Sequence, residues 1–138
     1  MFGVYRHTID AKGRLAIPSR IREELGETFY VTISSEKCLT AYSSESWQRM
    51  MDKVVALPKA AQIKARPLFA HAAKCELDSQ GRVLLPQPLR DFAALDKNVA
   101  VVGNGECAQL WDESTWDDVD MVETTPENIA KVLEELGF

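Results

Sequence analysis

The chain has 138 residues, 46% of them hydrophobic, which fits one domain or two very small ones. It has no apolar run near 18 residues and no leader-like start, and Cys38, Cys75 and Cys107 stand singly, which excludes a membrane-spanning helix and a disulfide framework and points to a reducing, cytoplasmic setting. The net charge of −5 is unevenly divided: residues 1–75 hold 12 Lys and Arg against 7 Asp and Glu, whereas residues 76–138 hold 4 against 14. An acidic chain would discourage a nucleic-acid partner, but the basic first half keeps one open.

The first element is a strand, "VYRHTI", with β-branched residues and partial alternation. "DAKG" then makes a turn, in which Gly13 can take positive φ and Asp10 can bond its own backbone. "RLAI" is the return strand and Pro18 ends it. Ser19 is the expected N-cap of a short helix whose first position is Arg20 and whose apolar face is Ile21 and Leu25. Gly26 stops that helix. "FYVTI" and "CLTAY" form a second hairpin around "SSEK".

A longer helix should follow each unit; the first is capped by Ser44, with Trp47, Met50, Met51, Val54 and Val55 on one face and Pro58 as its end. Residues 59–72 read as another helix that Pro67 should kink or split.

From "DSQGR" onward the chain repeats itself. At an offset of 68, Asp78, Gly81 and Arg82 match Asp10, Gly13 and Arg14, "VLLP" matches "LAIP", and Leu89-Arg90-Asp91 matches Ile21-Arg22-Glu23. Val31 is aligned with Val99. Beyond that the offset becomes 69, pairing Cys38 with Cys107 and Trp47 with Trp116, and one extra residue near "VGNGE" is the expected cause. Pro88 falls opposite Arg20 and supports the same helix start. "NVAVV" and "CAQLW" repeat the second hairpin around "GNGE". The last helix is capped by Thr125, has Pro126 first, carries Ile129, Val132, Leu133 and Leu136 on one face, and ends at Gly137. The order is ββαββ–αα–ββαββ–α. Four short strands cannot cover a core alone, so each unit needs a partner of its own kind.

"DAKGRLAIP" and "DSQGRVLLP" resemble the Asp-x-x-Gly-Arg signature of the AbrB-like, swapped-hairpin DNA-binding fold. Two such units in one chain, with "MFG", "AHAAKCELD" and "LWDESTW" around them, resemble the MraZ family of bacterial transcriptional regulators. The resemblance covers almost the whole chain. It implies an α+β fold with a mostly β core and short helices: two tandem ββαββ units interleaved into a pseudo-symmetric barrel of double-psi or swapped-hairpin type. It implies closed homo-oligomeric rings and association with the nucleoid. It implies repression of the division and cell-wall operon, its own gene included, through short direct repeats in the promoter. The residue that family members often carry between Met-Phe and Gly is absent, and the helix that Pro67 interrupts is usually more regular. The expected organisation is a first DNA-binding repeat over 5–47, a helical connector over 48–72, a second repeat over 73–116, and an acidic segment with a C-terminal helix over 117–138.

The copies differ in charge. The first carries Arg6, Lys12, Arg14, Arg20 and Arg22; the second has Lys74, Gln80, Arg82, Pro88 and Arg90 at those places. An Arg behind the turn glycine can pair with the Asp four residues earlier, or with that Asp's symmetric counterpart, and lock the hairpin. For Arg82 that role is preferred. For Arg14, with Lys12 and Arg6 on the same ribbon, contact with DNA is preferred, because a two-stranded ribbon fits the major groove and Arg can grip guanine with two hydrogen bonds. The resemblance makes Arg14 the basic residue of the family's DNA-binding motif. Lys12, Arg6, Arg20 and Arg22 would meet phosphates or be a solvated face. The acidic second half would turn its side of the assembly away from DNA or serve solubility.

His7 and His71 have no zinc-type spacing with the cysteines, and no phosphate loop, nucleophile elbow or His-Glu-x-x-His occurs, so neither metal, cofactor nor catalysis is expected. Trp47, Trp111 and Trp116 read as packing residues rather than base-stacking platforms. Two other functions compete: a MazE-type antitoxin, and a ring scaffold that binds no DNA.

Overall fold

The computed structural model describes all of Met1–Phe138. Its elements in chain order are β1 (Val4–Thr8), β2 (Arg14–Ala16), α1 (Ser19–Leu25), β3 (Thr28–Ile33), β4 (Leu39–Ser43), α2 (Ser44–Val55) and α3 (Lys59–Ala70). The second set is β5 (Ala73–Glu76), β6 (Arg82–Leu84), α4 (Gln87–Phe92), β7 (Asn98–Asn104), β8 (Cys107–Asp112), α5 (Glu113–Glu123) and α6 (Pro126–Glu135). The chain is therefore α+β with two matching runs of four strands and one short helix.

The strands do not pair within their own runs alone. One antiparallel sheet has the order β1-β7-β8-β4-β3-β5, and β2 pairs with β6 in a separate two-stranded ribbon. β1 thus lies beside the second copy's hairpin, and β5 beside the first copy's. β1 and β2 share only the bridge Ile9–Leu15 where a local hairpin was expected. Exchange removes the problem of a four-stranded unit with no cover. The expected barrel does not close: β1 and β5 are the two edges of an open sheet, because each hands its chain on to the β2–β6 ribbon instead of meeting the other.

A pseudo-two-fold axis runs through the molecule. In the ribbon Leu15 faces its own repeat counterpart Val83, and at the sheet centre Thr40 faces its counterpart Gln109. Leu15, Val83, Ile17, Leu85, Ile21, Leu89, Phe29 and Val99 are buried around this axis in one shared core. Neither half could bury these residues alone.

Several sequence expectations move. Phe29 lies opposite Cys75 and Val99 opposite His7, and Cys75 and His7 are counterparts, so Phe29 matches Val99 and the offset there is 70. Val31 is therefore the counterpart of Val101, not Val99. Two extra residues lie between α4 and β7, and the "GNGE" turn is one residue shorter than its partner, which restores an offset of 69. Ser19 is not a cap: α1 begins at Ser19, and the Pro18 carbonyl accepts from Ile21 and Arg22 N–H at 3.0 and 2.9 Å. Pro86 does the same for α4, which starts at Gln87 with Pro88 in second place. Ser43 caps α2 by accepting from Ser46 N–H at 3.2 Å, whereas the Ser44 hydroxyl donates to the Thr28 carbonyl. Pro67 does not split α3, since it stands in the last turn and forfeits only the bond to the Ile63 carbonyl. Thr125 caps α6 as expected, accepting from Asn128 N–H at 3.2 Å.

The helices that follow each unit cover the sheet through one tryptophan each. Trp47 of α2 stacks on Tyr30 with ring centroids 5.1 Å apart and meets Phe69 of α3 edge-on. Trp116 of α5 packs against Trp111. Cys38 and Cys75 are buried free thiols, and burial pushes both up to about 11, so they act as packing groups.

Candidate nucleic-acid interface

Each Asp-x-x-Gly-Arg segment folds into the same frame. One oxygen of Asp10 accepts the N–H groups of Lys12 and Arg14, both at 2.9 Å, and the other accepts Nε of Arg14 at 2.7 Å. In the second copy Asp78 accepts from Gln80 N–H, Arg82 N–H and Arg82 Nε, all at 2.9 Å. Gly13 N–H returns to the Asp10 carbonyl and Gly81 N–H to that of Asp78, each at 3.0 Å. Only an ionised carboxylate four residues before the Arg, with no bulk at the fourth turn position, can close this frame. The donated backbone hydrogen bonds, led by that of Arg14 or Arg82, hold both carboxyls below the ordinary aspartate value.

The two frames are then locked to each other. Ile17 N–H donates to the Gly81 carbonyl at 3.0 Å, and Leu85 N–H to that of Gly13 at 2.9 Å. Arg90 of α4 covers Gly13, and Arg22 of α1 covers Gly81. Both glycines have positive φ, +86° and +73°. Arg90 also donates its Nε–H to the Leu85 carbonyl at 2.9 Å, while the buried Nε of Arg22 has no partner.

The guanidiniums at the ribbon are not equivalent. Arg82 pairs with Asp78 and also sets Nη1 3.9 Å from Asp10, so two carboxylates surround it. Arg14 touches Asp10 alone, through Nε, which fixes the plane of the side chain and leaves both Nη groups without a protein partner. Beside it Lys12 and Arg20 are exposed and form no ion pair. Arg22 is half-buried against the second turn, a packing position. Arg6 stands apart: its Nη2 lies 2.8 Å from Asp117 and its Nη1 3.7 Å from Glu113.

Those two acids belong to α5, the longer helix expected after the second unit but given no bounds there: Glu113 falls in the expected second repeat and Asp117 in the expected acidic segment. The signal was present, because Trp116 repeats Trp47, and Trp47 lies in the helix that follows the first unit. The role of Arg90 was likewise available from its match to Arg22, but only an exchanged ribbon brings it to the other copy's glycine.

A family model described as "MraZ protein, putative antitoxin-like" matches residues 1–66 and again 68–129, one match for each copy. The chain belongs to the MraZ family. It is 42% identical over 141 residues to the transcriptional regulator MraZ of Acetivibrio thermocellus, with 99% of each chain covered. The protein of the same name from Caldicellulosiruptor bescii is 41% identical over 146 residues, covering 100% of this chain and 99% of the relative. That from Carboxydothermus hydrogenoformans is 48% identical over 117 residues, covering 83% of this chain and 82% of the relative. No helix is long and apolar enough to cross a membrane.

Proposed function

We propose that this MraZ-family chain is a transcriptional repressor that binds promoter DNA through the first copy's side of the β2–β6 ribbon, acting by occupancy and not by catalysis. The observation that carries the reading is the contrast between two identical frames. In the first, Arg14 is oriented by one carboxylate with both Nη groups unused, and Lys12 and Arg20 flank it unpaired. In the second, Arg82 lies between two carboxylates and the flanking positions are Gln80 and Pro88. A pre-aimed guanidinium on a two-stranded ribbon suits a guanine edge in the major groove, and the neighbouring cations suit phosphates. Arg22 adds charge from behind the turn. Arg6 joins only by exchanging Asp117 and Glu113 for a phosphate.

On this reading residues 5–47 meet DNA, 73–116 complete the shared core, and 48–72 and 117–138 are helical additions. One ribbon offers few contacts, so several of them, spaced around a ring of identical subunits, would bind tandem promoter repeats with avidity. The promoter would be that of the division and cell-wall operon, the chain's own gene included, which places the protein in the cytoplasm at the nucleoid.

The test is a gel shift on DNA upstream of the chain's own gene, against an unrelated fragment, over a salt series. A specific shift that weakens steeply between low and physiological salt supports the reading. Equal shifts on both fragments, or none, overturn it.

A further inference from the structure

Leu15 and Val83 of the β2–β6 ribbon point inward and are buried, so Arg14, Ala16, Arg82 and Leu84 share its outer face. The register sorts these four into two cross-strand pairs: Arg14 is opposite Leu84, and Ala16 is opposite Arg82. The pairs are repeat counterparts, since Leu84 stands where the first copy has Ala16. They differ in chemistry. The guanidinium held between two carboxylates faces an alanine, whereas the one with unused Nη groups faces a leucine that is 60% exposed.

A single exposed leucine is ordinary on a protein surface. Its position straight across from the unused guanidinium is the informative part. Directly opposed side chains of an antiparallel pair have Cβ atoms about 5 Å apart, and base pairs in a duplex follow one another at about 3.4 Å. A ribbon that sets Arg14 on a guanine therefore brings Leu84 to a base pair one or two steps away. In the major groove the apolar group on the base edges is the 5-methyl of thymine. A leucine tip can cover that methyl, and it offers nothing to a phosphate or to a hydrogen-bonding edge.

We propose that Leu84 is a specificity residue that packs on a thymine 5-methyl group beside the base pair gripped by Arg14. This rests on the DNA-binding reading above and extends it, because the second copy then supplies a base contact as well as half of the core. Ala16 is too short to make the same contact beside Arg82. A backbone with pseudo-two-fold symmetry thus presents a reading face that has none. Such a face fixes one orientation of the ribbon on DNA, as direct repeats require.

The probe is the fragment upstream of the chain's own gene, prepared with thymine or with uracil throughout, two versions that differ in the 5-methyl group alone. The unmodified protein should bind the uracil version more weakly, by about fourfold for each ribbon engaged. Leu84→Ala should bind both versions alike, close to the unmodified protein's affinity for uracil DNA. Its melting curve and its size in light scattering should be unchanged, since the side chain lies outside the core. Equal binding of the two versions by the unmodified protein overturns the proposal. So does a Leu84→Ala protein that keeps the preference for thymine, or one that no longer assembles as its parent does, which would make Leu84 a packing residue. If the unmodified protein prefers neither version to unrelated DNA, the DNA-binding reading falls too; if it prefers its promoter but ignores the methyl, only the role of Leu84 falls.

Discussion

Arg90 lies across the α-carbon of Gly13: a Cβ added there would be 2.8 Å from the guanidinium carbon. The second copy's helix thus holds down the first copy's turn, and Arg22 does the same for Gly81, where the nearest atom would be 2.2 Å away. Distance alone would make Gly81→Ala the worse change. The bonding says otherwise. Both substitutions force a side chain into positive φ, at about 1–2 kcal/mol. Arg22 Nε has no partner and its guanidinium can swing aside, but Arg90 would give up its bond to Leu85, a further cost of about 1 kcal/mol. Urea unfolding should therefore find Gly13→Ala less stable than Gly81→Ala. The reverse order would mean that overlap outweighs the hydrogen bond.

The turn carboxylates set a pH dependence. Asp10 and Asp78 have native pKa values below the ordinary 3.8, held there first by backbone N–H donors. A depressed native value means that the unfolded chain binds protons more readily, so the stabilisation is complete above the unfolded value and is lost as pH falls through the native one. Stability should fall from about pH 4 downward. The double variant Asp10→Asn, Asp78→Asn should be less stable at neutral pH and show a flatter decline in acid. Parallel acid curves for variant and parent would remove these two groups from the account.

Arg14 and Arg82 should separate function from folding. Losing one two-pronged base contact costs about 1–3 kcal/mol, so Arg14→Ala should weaken promoter binding by about 5- to 150-fold while the size of the assembly is unchanged. Arg14→Lys keeps the charge but not the planar fork, and should recover phosphate-type binding without sequence preference. Arg82→Ala leaves Asp78 without its side-chain donor and should act mainly on the melting temperature. Lys12→Gln and Arg20→Ala should each lower the slope of log K against log salt by about one. Should Arg14→Ala break the assembly while Arg82→Ala abolishes DNA binding, the two roles have been assigned to the wrong copies.

What the sequence could convey was set by what a repeat encodes. Asp10, Gly13 and Arg14 recur as Asp78, Gly81 and Arg82 because each frame closes within five residues, and local chemistry of that kind is written locally. The exchange of β1 and β5 is not local. It follows from Leu15 meeting Val83 and from two half-cores that cannot be buried separately, and only the resemblance to a family supplied it in advance. Helix starts were misread by one residue where proline carbonyls and Ser43 took the donors that Ser19 and Ser44 were expected to serve. The pairing of Arg6 with Asp117, 111 positions away, had no sequence signal beyond the acidic composition of α5.

The two residues that upset the repeat alignment lead to the last prediction. After α4 the chain closes with Leu95 N–H donating to the Arg90 carbonyl at 2.9 Å and Ala94 N–H to that of Asp91 at 3.1 Å. This paired closure places residue 94 in the left-handed region, and Ala94 has φ +49°, the one non-glycine residue of the chain with positive φ. Leu95, next in line, packs against the core and keeps the closure in place. An alanine there bears about 1–2 kcal/mol of steric cost that glycine avoids, while glycine gives up about 0.4–1 kcal/mol through a freer unfolded chain. The strain is the larger quantity, so Ala94→Gly should stabilise the protein by about 0.5–1 kcal/mol, read as a higher urea midpoint at unchanged m-value. A lower midpoint would show that chain entropy outweighs the strain at this helix end.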